Sequence, residues 1–138
     1  MAAMQTVITV ATYGRESRDI THDVNRIVGQ SGVSAGLVNI FVQHTSCGVA
    51  IMENADADVR RDLEMLLSRW APDADPAYLH TLEGSDDMAA HARSLLTGNS
   101  LTVPVAGGRM LLGIWQGIYL FEHRTAPHQR HIVVTVMD

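Results

Sequence analysis

The sequence predicts an α+β fold, and three observations carry that prediction. Short runs of β-branched and aliphatic residues alternate with polar partners, the pattern of half-buried strands. Three other segments space their apolar residues three and four apart, the pattern of amphipathic helices. The two kinds are interspersed as β-α-β-β-α-α-β-β-β-β with hairpin turns instead of regular crossovers, which points to an α+β sandwich and away from a doubly wound sheet.

The first strand covers residues 5–12, where Val7, Ile8 and Val10 sit among β-branched neighbours. Asp19, Ile20 and Thr21 open a helix whose apolar stripe is Ile20, Val24, Ile27 and Val28, stopped by Gly29 and Gly32. Residues 36–44 make a second strand with Val38, Ile40 and Val42 on one face, and residues 48–52 a third. The longest helix runs from about residue 56 to 70. Val59, Leu63, Leu66, Leu67 and Trp70 form its stripe, while Asp56 and Asp58 suit the positive end of its dipole. Beyond Pro72 and Pro76, Ser85 caps a third helix with Asp86 and Asp87 in its first turn. Met88, Ala92, Leu95 and Leu96 face inward there, and Gly98 ends it. Residues 101–105 and 110–115 pair about the turn Ala106-Gly107-Gly108-Arg109, and Pro104 marks the first of them as an edge or bulged strand. Residues 118–122 and 132–137 complete the strands.

A chain of 138 residues, 46% apolar and 18% charged, reads as one domain over 1–138 with a core that needs no disulfide. The net charge of -5 gives a nucleic acid no electrostatic footing, so no nucleic-acid partner is expected. There is no lysine, so any phosphate is held by arginine, backbone N–H groups or a metal. Residues 27–52 carry no formal charge, but they include Gln30, Ser31, Asn39, Gln43, His44 and four glycines, which fails as a lipid-facing helix. With one cysteine, Cys47, and no basic-then-apolar leader, the expectation is a cytoplasmic protein without a membrane partner.

Chemistry-capable residues cluster in four stretches of otherwise apolar sequence, and unpaired burial of such groups is costly. His44 ends a strand before a tight turn, where its ring either bonds local backbone or is presented at a rim. His80 sits in a loop. His91 lies on the edge of a helical apolar face with Asp87 one turn earlier, a spacing that lets a carboxylate fix a histidine tautomer. His44, His80 and His91 suit zinc or a related divalent ion with one position left open. Glu53 precedes the expected helix cap and is read as a general acid/base. Cys47 reads as an inert thiol, since no nearby cation would activate it. Ser46 lacks the glycine-flanked elbow of a serine hydrolase. Trp115 and Gln116 stand between two glycines, and Gln116 needs a partner if buried. His22, His123, His128 and His131 read as surface residues.

Taken together, His44-Thr45-Ser46, Glu53-Asn54 with Asp56 and Asp58, Asp62, Tyr78 and His80, Asp87 and His91, Gly98, Ser100, Pro104 and the run Gly113–Glu122 resemble the YjbQ-like family, whose members have carried the label of secondary thiamine-phosphate synthase. The resemblance implies a seven-stranded α+β β-sandwich with about three helices that assembles as a homotrimer. It also implies an enzyme for a small phosphorylated metabolite, joining a pyrimidine pyrophosphate to a thiazole phosphate, with a non-catalytic trimeric metal- or metabolite-binding protein as the alternative. Glu53, His44 and Asp87 would be catalytic, and Ser46, Asn54, Trp115, Gln116 and Arg130 would bind substrate. A zinc-type ion suits the histidines, whereas magnesium would accompany a pyrophosphate substrate. Residues 123–128 depart from the short turn usual in the family. Strand residues between Val103 and Ile118 are expected to line the three-fold contact.

Overall fold

The computed structural model describes residues 3–138. In chain order it contains strands β1 (Ala3–Thr12) and β2 (Glu16–Asp19), helix α1 (Thr21–Ser31), strands β3 (Ala35–Val42) and β4 (Cys47–Glu53), and helices α2 (Ala57–Trp70) and α3 (Asp87–Thr97). Strands β5 (Ser100–Ala106), β6 (Arg109–Met110), β7 (Gln116–Glu122) and β8 (His128–Met137) follow. The α+β class is as expected. The strands form a five-stranded sheet in the order β1-β8-β3-β5-β6 and a three-stranded sheet β2-β7-β4, every pairing antiparallel.

The core fills the space between the sheets. Val38, Ile40, Val42, Ile132, Val134 and Val136 project from the large sheet and Val49, Ile118 and Leu120 from the small one, with α1 adding Val24, Ile27 and Val28. A second cluster of Met52, Tyr119 and Phe121 lies on the outer face of the small sheet, under Leu63 of α2. Alternation decides the rest: on β8 the even-numbered residues from Arg130 to Val136 are buried and the odd-numbered ones are not. Among the described residues no helix is long and apolar enough to cross a membrane.

Five expectations need correction. Residues 110–115 are not one strand: Met110 ends β6, and beyond it Gln116 accepts the Gly113 N–H (2.7 Å) and Asn54 donates to the Ile114 carbonyl (3.2 Å), which folds the segment outward. Leu111, Ile114 and Trp115 are therefore exposed, while Val103, Val105, Met110 and Ile118, offered as interface residues, are core. Among the described residues there are eight strands and not seven, because β2 pairs with β7 and β6 is a two-residue stub. α3 turns a different face inward: Ala89, Ala90 and Arg93 are buried, and Leu95 is 88% exposed. Its end lies so close to β4 at Gly48 that even a Cβ there would strike the Thr97 side chain and the Gly98 carbonyl. Only glycine at position 48 permits that approach. On α2 just Leu67 is fully buried and Trp70 faces out, while Asp56 caps the helix by accepting the Asp58 N–H (2.9 Å).

His123 is also buried, at 1% exposure, beside Thr97 (3.1 Å). Burial above all, and then the Arg93 charge, pushes its imidazole down to about 3. The folded state thus refuses a proton that the unfolded chain takes up below about pH 6.5. Stability from this group is complete above that pH and is lost as pH falls from about 6.5 toward 3, up to roughly 5 kcal/mol. Urea melts across that window should show His123→Gln with a shallower loss than the parent chain. Parallel slopes would mean that His123 takes up its proton while still folded.

Candidate metal centre

The loop before α3 and the first turns of α3 bring His80, Asp87 and His91 together, and their ligand atoms all lie within 4.8 Å of one another. Asp87 is buried at the helix start, with His91 one turn later on the same side. One carboxylate oxygen, Asp87 Oδ2, faces both imidazoles, at 2.6 Å from His80 Nε2 and 3.0 Å from His91 Nε2. The other nitrogen of His91 donates to the Thr45 carbonyl (2.8 Å), which directs its Nε2 at the carboxylate. Burial alone would raise the Asp87 carboxyl, but the His80 bond and the charges of His91 and Arg124 outweigh it and hold it below the usual range. The result is an anionic oxygen between two ring nitrogens.

These donors fit a zinc-type ion. Tetrahedral zinc at about 2.0–2.1 Å from each ligand sets ligand atoms about 3.4 Å apart, so the two edges at Asp87, now 2.6 and 3.0 Å, need to open by under about 1 Å. Two imidazoles and one carboxylate leave at least one position for water or substrate. A cavity of about 400 Å³ adjoins, lined by His44, Thr45, His91, Ser94, Leu95 and Asn99.

His44 is in that cavity wall but outside the ligand cluster, a correction with a clear cause. β3 stops at Val42, and the His44 ring takes over the ladder by accepting the His131 N–H at Nε2 (2.8 Å). Its Nδ1 carries the hydrogen in the neutral ring. Burial first, then Arg130 and His131, lower its basicity. Asp87, expected to fix the His91 tautomer and to be catalytic, is the third member of the cluster instead.

Glu53 and its neighbours lie elsewhere. β4 separates Glu53 from the Cys47 end, which abuts α3, by six residue steps, about 20 Å of strand. The Glu53 carboxylate accepts the N–H groups of Ala55 (3.1 Å) and Asp56 (2.9 Å), so capping the chain before α2 is the role its contacts give. Asn54 and Gln116 border a second cavity of about 560 Å³ beside Arg109, and Trp115 is exposed at the same end of the small sheet. Within one chain none of the four reaches the histidines.

Ser46 and Arg130 are beneath the site, not open to it. Arg130 donates to Ser46 Oγ (2.9 Å) and to both Glu122 oxygens (2.7 and 2.5 Å), all buried. Cys47 is fully buried and its thiol is pushed up to about 12, chiefly by burial. Tyr78 donates to the Pro72 carbonyl (2.8 Å).

Sequence reasoning missed Arg124, which sits in the unusual 123–128 segment. It donates to Asp87 Oδ1 (2.7 Å) and to Asp86 Oδ2 (3.1 Å). Asp86 also accepts from the Thr125 N–H and hydroxyl, and against its burial these bonds hold its carboxyl at about 2. Two adjacent carboxylates in a helix's first turn were the available signal that a cation had to return to them.

The YjbQ-like UPF0047 family profile matches residues 6–138. The chain belongs to this family. A UPF0047 protein of Synechocystis sp. is 43% identical over 132 residues, covering 96% of this chain and 90% of its own length. The UPF0047 protein YjbQ of Escherichia coli is 38% identical over 133 residues, covering 96% of each. Among solved structures, a conserved hypothetical protein from Thermus thermophilus superposes with a TM-score of 0.86 at 36% identity, covering 96% of this chain and 99% of that one. An uncharacterized conserved protein of the YjbQ/UPF0047 family from Clostridium acetobutylicum gives 0.85 at 34% identity, covering 97% and 99%. The likeness to both structures spans nearly the whole chain.

Proposed function

We propose that this YjbQ-like protein is a metal-dependent enzyme acting on a small metabolite, with a zinc-type divalent ion at His80, Asp87 and His91. The observation that carries the reading is the single Asp87 oxygen aimed at two imidazole Nε2 atoms. In the geometry as it stands, both bonds need ring hydrogens, and His91 spends its other nitrogen on Thr45. A dication takes the place of those hydrogens and satisfies the same three atoms. When bound, such an ion polarises a phosphoryl or carbonyl oxygen or activates water. The cavity wall contains no lysine or arginine, so the positive charge for a phosphorylated substrate would come from the metal. Magnesium, an oxygen-seeking ion, would enter with a pyrophosphate group and not at these nitrogens. Joining a pyrimidine pyrophosphate to a thiazole phosphate is the specific reaction to try.

One observation favours the non-catalytic alternative: no Asp or Glu lines the cavity beside His91, and Glu53 is a strand length away. A homotrimer bears on this point. The outward positions of β1, β8, β3 and β5 include Val7, Leu37, Phe41, Val133 and Met137 and carry no Asp, Glu, Lys or Arg, unlike an ordinary solvated sheet face. A heterologous ring contact over that face would cover it, and could set the Glu53 end of one copy beside the histidines of the next.

Untagged protein purified without chelator should carry about one zinc-type ion per chain and sediment as a trimer. Multiple turnovers of the two thiamine precursors, abolished by chelation and restored by zinc, would support the enzyme. Stoichiometric metal without turnover of any phosphorylated metabolite supports the binding protein, and absence of metal affinity overturns the metal centre in both readings.

A further inference from the structure

We infer that Arg124 selects which metal ions the centre accepts, by confining Asp87 to one coordinating oxygen. The inference rests on the metal-centre reading above. Asp87 has two oxygens with separate duties: Oδ2 faces His80 and His91, whereas Oδ1 receives the Arg124 Nη1 hydrogen at 2.7 Å. A carboxylate can grip an ion with both oxygens only when both are free to turn toward it. Here one is taken.

The guanidinium is itself held on every side. Its Nε donates to Asp86 Oδ2 (3.1 Å) and its Nη2 to the Glu83 carbonyl (2.9 Å). Its backbone N–H is tied to Glu122 Oε2 (3.0 Å), and the next residue, Thr125, is tied to Asp86 (2.9 Å). The side chain is only 18% exposed. Arg124 therefore does not follow Asp87 if that carboxylate rotates; the rotation breaks the Oδ1 bond. This segment lies between β7 and β8, so the constraint comes from the sandwich and not from α3 itself.

Coordination chemistry turns that constraint into selectivity. Calcium takes six to eight oxygen ligands and commonly uses carboxylates with both oxygens, and manganese likewise favours oxygen-rich sites. Zinc is content with four ligands, of which two here are imidazoles. Charge works the same way: Arg124 offsets one of the two adjacent carboxylates, which lowers the pull on hard cations more than it lowers the affinity of imidazole for zinc. Arg124 is a positioning residue, since it reaches the ion only through Asp87.

The test compares zinc and manganese affinities of the full chain by competition with a chromophoric chelator, for the parent protein, Arg124→Gln and Arg124→Lys. Arg124→Gln should lower the ratio of zinc to manganese affinity by at least about tenfold, in the range found for groups that orient a ligand. Arg124→Lys keeps the charge but not the planar fork, and should fall between. A merely structural role would weaken both metals together and leave the ratio unchanged, which overturns the inference. X-ray absorption on the zinc-loaded parent chain gives a second reading that needs no variant. One short carboxylate oxygen is expected, and a doubly coordinating Asp87 overturns the proposal even if Arg124→Gln fails to fold. If the parent chain binds neither metal, the metal-centre reading itself has failed, a result distinct from an unchanged ratio.

Discussion

Asp87→Asn is expected to lower zinc affinity by more than about 100-fold while the chain stays folded, a larger loss than the 10–100-fold typical of groups that only orient a ligand. The substitution keeps the side-chain size but leaves one amide oxygen to serve two demands. Turned toward Arg124, it presents an NH2 group to His80 and His91. Turned toward the histidines, it sets that NH2 against the Arg124 guanidinium. The shared negative charge is gone in both arrangements. The fold should survive, because none of His80, Asp87 and His91 belongs to either apolar cluster and Arg124 keeps its bond to Asp86. Chelator competition and a thermal melt on the same sample decide it. Zinc affinity equal to that of the parent chain would place the metal, if there is one, somewhere else.

Why Asp87 and not His44 completes the triangle shows what the sequence could and could not convey. The four-residue spacing of Asp87 and His91 is a local helical fact, legible in the order of residues alone. His80 joins them through a loop, and His44 and His80 look equivalent in the sequence because linear order does not say which strand end faces which helix end. The His44 ring is recruited by the β3–β8 ladder, a pairing of residues 87 apart in the chain. The same limit hid Arg124, whose carboxylate partners are 37 and 38 residues away. Elements with a clear period were legible: α1, β3, β4 and β7 fall close to their expected places. The inward face of α3 is not the one that apolarity marks, since Leu95 and Leu96 turn outward. Ala89, Ala90 and Arg93 are the buried residues instead, and the helix end approaches Gly48 at Thr97 and Gly98. Residues 111–115 are apolar enough for a strand, but the side chains of Gln116 and Asn54 take the Gly113 N–H and the Ile114 carbonyl out of any strand ladder.

The second large effect is expected at Arg130, which the family resemblance offered as a substrate contact. Arg130 is 3% exposed and Glu122 2%, and they meet in the interior beside Cys47, with the Thr12 hydroxyl on Glu122 Oε1 (2.5 Å) and the Ser46 carbonyl on Arg130 Nη2 (3.1 Å). Burial by itself would raise the Glu122 carboxyl, yet the Arg130 and Thr12 bonds hold it below its ordinary value. Its contribution to stability is therefore present above the unfolded carboxyl value and is lost as pH falls through the depressed one. Arg130→Met should destabilise the chain by about 3–5 kcal/mol at neutral pH, because it leaves Glu122 buried without its cation. The penalty should shrink on acidification, where the stranded carboxylate takes up a proton in the variant before it does in the parent. Glu122→Met with Arg130→Met removes both charges and should be less destabilised than Arg130→Met alone, though it still strands the Ser46 oxygens and the Arg124 N–H. Urea unfolding of the three chains between pH 7 and 4 reads all of this. A double variant no better than the single one would mean that the pair is held by packing and not by its charges.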